Sequence, residues 1–183
     1  MNKKTYIIVE TAVLTVIGVL LEIFAAIIPL LQMPQGGRIS LVLLPVIIAS
    51  LRHGYLYGCI SGFIIGIVVF MLDGFVIHWG SIIFDYFLAF TLVGLVAVFK
   101  KNAFNDVKKF IFAITLAFLI RYLMHSVSGV IFFSDFTDSN AWFYSFILYN
   151  LPYNFLSYLF MLLVGIMIYP YFPHIFTEKK EEA

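Results

Sequence analysis

Six apolar stretches, most of them long enough to cross a bilayer, constrain this chain more than any other feature. They run Tyr6–Ile28, Ile39–Leu51, Tyr55–Leu72, Ile82–Phe99, Phe110–Phe133 and Trp142–Tyr169. A spanning helix needs roughly 17–25 mostly apolar residues, and the second stretch falls short of that around Pro45. Apolar residues run continuously instead of alternating, which excludes a closed transmembrane barrel. With 63% apolar or aromatic residues and 11% charged ones among 183, the composition is that of an integral membrane protein. The expectation is an all-α membrane protein: one domain over residues 1–183, a six-transmembrane-helix bundle with its second helix broken or shortened at Pro45.

The basic residues set an orientation. Lys3, Lys4, Arg52, Lys100, Lys101, Lys108, Lys109, Lys179 and Lys180 fall in the tails and loops of one side. The other side carries Arg38 with Asp73, Asp135 and Asp138. Positive residues favour the cytoplasm, so both termini are expected inside the cell and the protein in the plasma membrane, as a multi-pass chain. The first stretch is too long for the core of a signal peptide and lacks a convincing small-residue cleavage site. Cys59 is the single cysteine, which leaves no disulfide framework and no cysteine-based metal site. There is no phosphate-binding loop and no basic patch for nucleic acid.

Within this apolar background the charges stand out. Arg121 sits in the middle of Phe110–Phe133, with His125 and Gly129 following at intervals of four, so the three share one helix face. Placing arginine at a bilayer centre costs about 2.5–3.5 kcal/mol or more, so such residues face a bundle interior or a cavity. Counting depth at about 1.5 Å per residue brings Asp85, His125, Tyr149 and Asn150 to a similar level, with Arg121 deeper and Glu22 within reach. One account is structural: Asp85 pairs with Arg121, and His125 and Asn150 complete interhelical hydrogen bonds. The account favoured for the whole set is a cavity beneath outer loops. There Tyr86, Phe133, Tyr144, Tyr149 and Tyr153 offer flat faces to an aromatic or cationic guest, and Asp85 accepts from an amine. Such a site suits a small flat organic molecule. Gly54, Gly58, Gly62 and Gly66 recur every four residues and read as a close-packing face inside the bundle, less readily as a partner interface. Pro34, Gly36, Gly37, Gly74 and Gly80 make the outer loops permissive enough for a lid.

A family resemblance rests on particular residues. Pro34-Gln35-Gly36-Gly37, Ile39-Ser40, Pro45 and Leu51-Arg52-His53-Gly54 resemble the opening of the thiamine-specific substrate-binding subunits of energy-coupling factor transporters. Val76-Ile77-His78, Asp85-Tyr86 with Ala89 and Gly94, His125 with Gly129, Phe132-Phe133, and Tyr149-Asn150 with Tyr153 continue it along nearly the whole chain. The resemblance implies a membrane subunit, not an enzyme and without cofactor or metal, that takes up thiamine from outside. Its partners would be a transmembrane coupling subunit and two ATPases that hydrolyse ATP. It also implies that Asp85 and Tyr86 meet the aminopyrimidine, that His125 and Asn150 contact the ligand, and that Gly129 leaves room for a ring. Phe133 falls where relatives stack a tryptophan, and Arg121 lies near the hydroxyethyl or phosphate end. Phe75 stands where a loop tyrosine is common, Arg38 is an added charge, and one extra residue separates Tyr144 from Tyr149-Asn150, which would rotate Tyr144. The small-residue motif of the first helix reads Ala12…Val16. Rival readings are a subunit for another vitamin or a thiamine precursor, a small membrane enzyme using Asp85 and His125 as acid and base, and a membrane scaffold built on the glycine face.

Overall fold

The computed structural model describes residues 2–34, 36–101 and 103–173; the charged tail containing Lys179 and Lys180 lies outside them. The chain forms helices α1 (Lys3–Ile27), α2 (Leu43–His53) and α3 (Tyr55–Asp73). Then follow α4 (Trp79–Phe99), α5 (Val107–Phe132) and α6 (Ala141–Tyr171). Among the described residues, five of these helices are long and apolar enough to cross a membrane, and α2 is shorter. No strand occurs among those residues, apart from an isolated bridge between Gln32 and Arg38.

The second apolar stretch behaves differently from its expectation. Helix begins at Leu43 instead of Ile39 and lasts 11 residues, about 16 Å at 1.5 Å per residue. Pro45 falls in its first turn, where the missing N–H would have no helical acceptor. All nine residues from Leu43 to Leu51 are buried, so α2 is the core around which the other helices pack rather than a lipid-facing span. Before it, residues 38–42 run non-helically yet partly buried, which is tolerated in a membrane only where protein surrounds the backbone. The Ile39 amide donates to the Leu31 carbonyl at 2.8 Å, the Ser40 amide to Ser157 Oγ at 3.1 Å, and the Val42 amide to Ser40 Oγ at 3.1 Å.

The glycine face of α3 turns inward. A Cβ on Gly62 would strike the Phe90 carbonyl, and one on Gly66 the Tyr86 carbonyl. These glycines therefore let α3 and α4 approach at backbone distance, as the internal-packing account expects. Gly54 contributes differently. At φ +100° it makes the tight turn from α2 into α3, a conformation nearly reserved for glycine. Outside this core, large apolar side chains such as Val13, Val16, Leu20 and Phe24 on α1 and Leu159, Phe160 and Leu163 on α6 are exposed. Apolar surface on this scale belongs against lipid or another protein.

Gly62→Ala isolates the close approach. Alanine is worth up to about 1 kcal/mol more than glycine in a helix interior, yet overpacking costs about 1–3 kcal/mol. The variant is expected to melt at a lower temperature in detergent than the unmodified protein, and an equal or higher melting temperature contradicts the packing described.

Candidate ligand-binding site

At the end of the bundle that carries the 28–42, 74–78 and 133–140 connections, a cavity opens among α1, α3, α4, α5 and α6. Counting its open mouth, it encloses about 720 Å³ of space between the atoms. All ten residues singled out from the sequence line it: Phe75, Asp85, Tyr86, Arg121, His125, Gly129, Phe133, Tyr144, Tyr149 and Asn150. Glu22 and Tyr153 join them, and Gly36 and Gly37 contribute backbone at the mouth.

A polar chain crosses the cavity wall. Arg121 Nε donates to His125 Nε2 at 3.2 Å. With Nε2 accepting, the ring proton lies on Nδ1, which donates to Asp85 Oδ1 at 3.0 Å. Ser128 Oγ donates to Asp85 Oδ2 at 2.7 Å. The expected direct Asp85–Arg121 pair is thus replaced by a linked row with His125 between them. Nor does Arg121 pair with Glu22: Glu22 Oε1 lies 3.4 Å from Arg38 Nε, with both side chains almost wholly buried. The Arg121 guanidinium lies 5.1 Å from the centre of the Phe90 ring, a cation–π arrangement. Each Asp85 oxygen has two acceptor positions, so the carboxylate retains capacity for a ligand donor after binding His125 and Ser128.

Asn150 is occupied differently. Its Nδ2 donates to the Ser145 carbonyl at 3.0 Å, to Ser145 Oγ at 3.1 Å and to the His125 carbonyl at 3.3 Å, while Oδ1 accepts from Tyr153 at 2.8 Å. The bond to His125 joins α6 to α5, the others stay within α6, and one lone pair is left on Oδ1. Gly129 serves the same contact. A Cβ there would collide with Ser145 Oγ, so the space it leaves is taken first by α6.

The aromatic groups fall into two sets. Near the mouth, Phe75 stacks on Phe133 with ring centres 6.1 Å apart, and Phe136 contacts both. On α6, Tyr144 stacks on Tyr149 at 6.2 Å, and Tyr149 meets Tyr153 edge-on at 5.9 Å. Tyr144 is therefore not rotated away. Residues Tyr144–Asn150 form a π-helical turn, which absorbs one extra residue per turn and so accommodates the additional residue noted in the sequence. A second π-helical segment, Ile82–Leu88, carries Asp85 and Tyr86. The Tyr86 hydroxyl accepts from the Phe75 amide at 2.9 Å, tying the 74–78 connection to α4.

Sequence reasoning missed Ser128, Ser145, Phe90, Val69 and Phe136. Ser128 lies three residues after His125 and so shares its helix face, a usable signal; the others resemble ordinary membrane-helix or loop residues. Among the described residues, no group of three or more His, Cys, Asp or Glu side chains could hold a metal.

Comparison with known proteins gives consistent relatives. The chain is 28% identical over 191 residues to the thiamine transporter ThiT of Bacillus subtilis (strain 168), covering 98% of each. It is 28% identical over 184 residues to that of Lacticaseibacillus paracasei, covering 91% of this chain and 89% of the relative. Its fold matches a solved structure of ThiT from Listeria monocytogenes with a TM-score of 0.73 at 24% identity, over 94% of this chain and 96% of that one. The sequence pattern of the family described as "Thiamine transporter protein (Thia_YuaJ)", a family of transporters and not of enzymes, matches residues 8–177. The chain belongs to this thiamine transporter family.

Proposed function

We propose that this chain captures thiamine from outside the cell and carries it inward as the substrate-specific subunit of an energy-coupling factor transporter. It does so as a six-helix plasma-membrane protein with both termini in the cytoplasm. The observation that carries the reading is the cavity itself, which joins a partly engaged carboxylate, a buried guanidinium and two aromatic sets. Each fits one part of the ligand. The aminopyrimidine amine donates to the spare lone pairs of Asp85, and its ring lies against Phe133 and Phe75. The cationic thiazolium is attracted to the faces of Tyr144 and Tyr149, an interaction worth about 0.5–2 kcal/mol. Tyr86, Gly129 and Asn150 shape the walls, and His125 holds Asp85 in position.

The partners in this reading are a transmembrane coupling subunit and two ATPase subunits. The chain supplies recognition and the ATPases supply free energy. Release requires the docked conformation to bind thiamine less tightly than the free one, because a ligand shifts an equilibrium only by its difference in affinity between states.

Two binding experiments test the site. Asp85→Asn removes a charged acceptor, a loss of about 1.5–3 kcal/mol, so thiamine affinity is expected to fall about tenfold or more. Isothermal titration of the detergent-solubilised protein with thiamine reads this directly, and near-unchanged affinity refutes the placement of the amine at Asp85. Deleting Ile147, an exposed residue of the π-helical turn, restores ordinary helical pitch and turns Tyr144 by about 100° relative to Tyr149. The folded variant should bind thiamine at least about tenfold more weakly, by the loss of aromatic contacts worth about 0.5–1.5 kcal/mol each. Retained affinity would show that the stacked tyrosines are dispensable.

A further inference from the structure

Several helical hydroxyls in this chain share one arrangement. Thr11, Ser50, Thr115 and Ser157 each donate to the backbone carbonyl four residues earlier, at 2.6–2.9 Å. That bond satisfies a hydroxyl within its own helix and needs no neighbouring element. Ser128 departs from it. It is wholly buried on α5, yet its single hydroxyl proton crosses to α4 and meets Asp85 Oδ2 at 2.7 Å. Ser128 is not among the residues that line the cavity, so its hydroxyl acts on a ligand through Asp85.

The carboxylate gives this departure a purpose. The last torsion of an aspartate side chain is broad and roughly two-fold, so a single hydrogen bond leaves the group able to swivel. Here His125 Nδ1 holds Oδ1 at 3.0 Å while Ser128 Oγ holds Oδ2 at 2.7 Å. The two donors stand three residues apart on one face of α5, one on each oxygen, and together they fix the plane of the group. Each oxygen keeps a further acceptor position, and with the plane fixed the directions of these positions are fixed too. An acceptor ordered before binding removes part of the ordering cost of the complex.

We propose that Ser128 is a positioning residue of the site: by fixing the Asp85 carboxylate it sets how strongly the cavity prefers a ligand that carries an amine over one that lacks it. This rests on the thiamine reading, in which the aminopyrimidine amine donates to Asp85. Without the hydroxyl, the carboxylate turns about its bond to His125, and the amine must order its acceptor as well as bind it. Parts of the ligand that do not touch Asp85 are held as before.

The test is isothermal titration of the detergent-solubilised full chain with two ligands, thiamine and the analogue carrying hydrogen in place of the pyrimidine amine. The unmodified protein should bind thiamine about 10–100-fold more tightly, the range for a hydrogen bond to a charged group. In Ser128→Ala, thiamine affinity should fall about tenfold while that for the analogue stays nearly constant, so most of the preference disappears. Ser126→Ala is the control. Ser126 is equally buried on α5, and its hydroxyl has no hydrogen-bond partner among the described residues, so this variant should keep the preference. A role confined to packing would weaken both ligands alike, and that result in Ser128→Ala overturns the inference. So does an unchanged preference there, or an equal loss of preference in Ser126→Ala. If the alanine variant does not fold, Ser128→Cys, which nearly keeps the volume but donates weakly, decides by the same ratio. A missing preference in the unmodified protein would instead remove the placement of the amine at Asp85, on which the inference rests.

Discussion

Burying charge among apolar helices is the constraint on which this structure depends. Glu22, Arg38 and Arg121 are nearly inaccessible and Asp85 is only partly exposed, in a setting where an unpaired ion is costly. Apolar packing cannot by itself fix how such helices are rotated, because lipid chains are as apolar as leucine. The polar links do so. Glu22–Arg38 ties α1 to the segment leading into α2, and Asp85 with His125 and Ser128 ties α4 to α5. Asn150, donating to the His125 carbonyl, and Ser145, donating to the Ser126 carbonyl, tie α6 to α5. Removing one member of a buried ion pair typically costs about 3–5 kcal/mol, since the other charge is left stranded. Register in this bundle is therefore set by a few polar contacts and then filled in by close packing at glycines.

The same constraint explains the irregular backbone beside the site. Residues 38–42 enter the protein without helical hydrogen bonds, and side-chain hydroxyls of Ser40 and Ser157 meet their amides instead. This arrangement shortens α2 and buries it completely. It also brings Gly36 and Gly37 to the mouth of the cavity, where a Cβ on Gly37 would press against the Tyr153 ring at 2.9 Å. The Gly37 amide reaches the Tyr149 hydroxyl at 3.4 Å. Cavity-lining residues on α6 and the entry connection are thus held in one network.

Much of this was legible in the sequence because membrane helices announce themselves through length and hydropathy. The five long helices fall within a few residues of the apolar stretches. The start of α2 was not legible, because Ile39–Val42 is as apolar as helix and only the tertiary setting makes it extended. Charged and aromatic site residues could be read from the cost of placing them in lipid, and they converge on one cavity. Their partners could not be read. Spacing suggests Arg121 with Asp85 or Glu22, whereas side-chain reach and rotation put His125 between the first pair and Arg38 beside Glu22. The extra residue before Tyr149 seemed to turn Tyr144 away. A π-helical turn, invisible to any 3.6-residue pattern, takes up that residue and keeps both rings on the cavity.

Hydrogen-bond capacity then separates the frame of the site from the part that is available for recognition. Asn150 has both amide hydrogens and one carbonyl lone pair engaged by protein groups, so its first role is to hold α5 and α6 together. His125 uses both ring nitrogens within the row from Arg121 to Asp85 and so fixes that carboxylate in place. Asp85 keeps lone pairs to spare, and Glu22 Oε2 and Arg121 Nη1 have no hydrogen-bond partner among the described residues. Residues that look equivalent in sequence thus divide by what their atoms have left to bond. The least satisfied of them, Asp85 first, are the groups with hydrogen-bonding capacity left over from holding the bundle together.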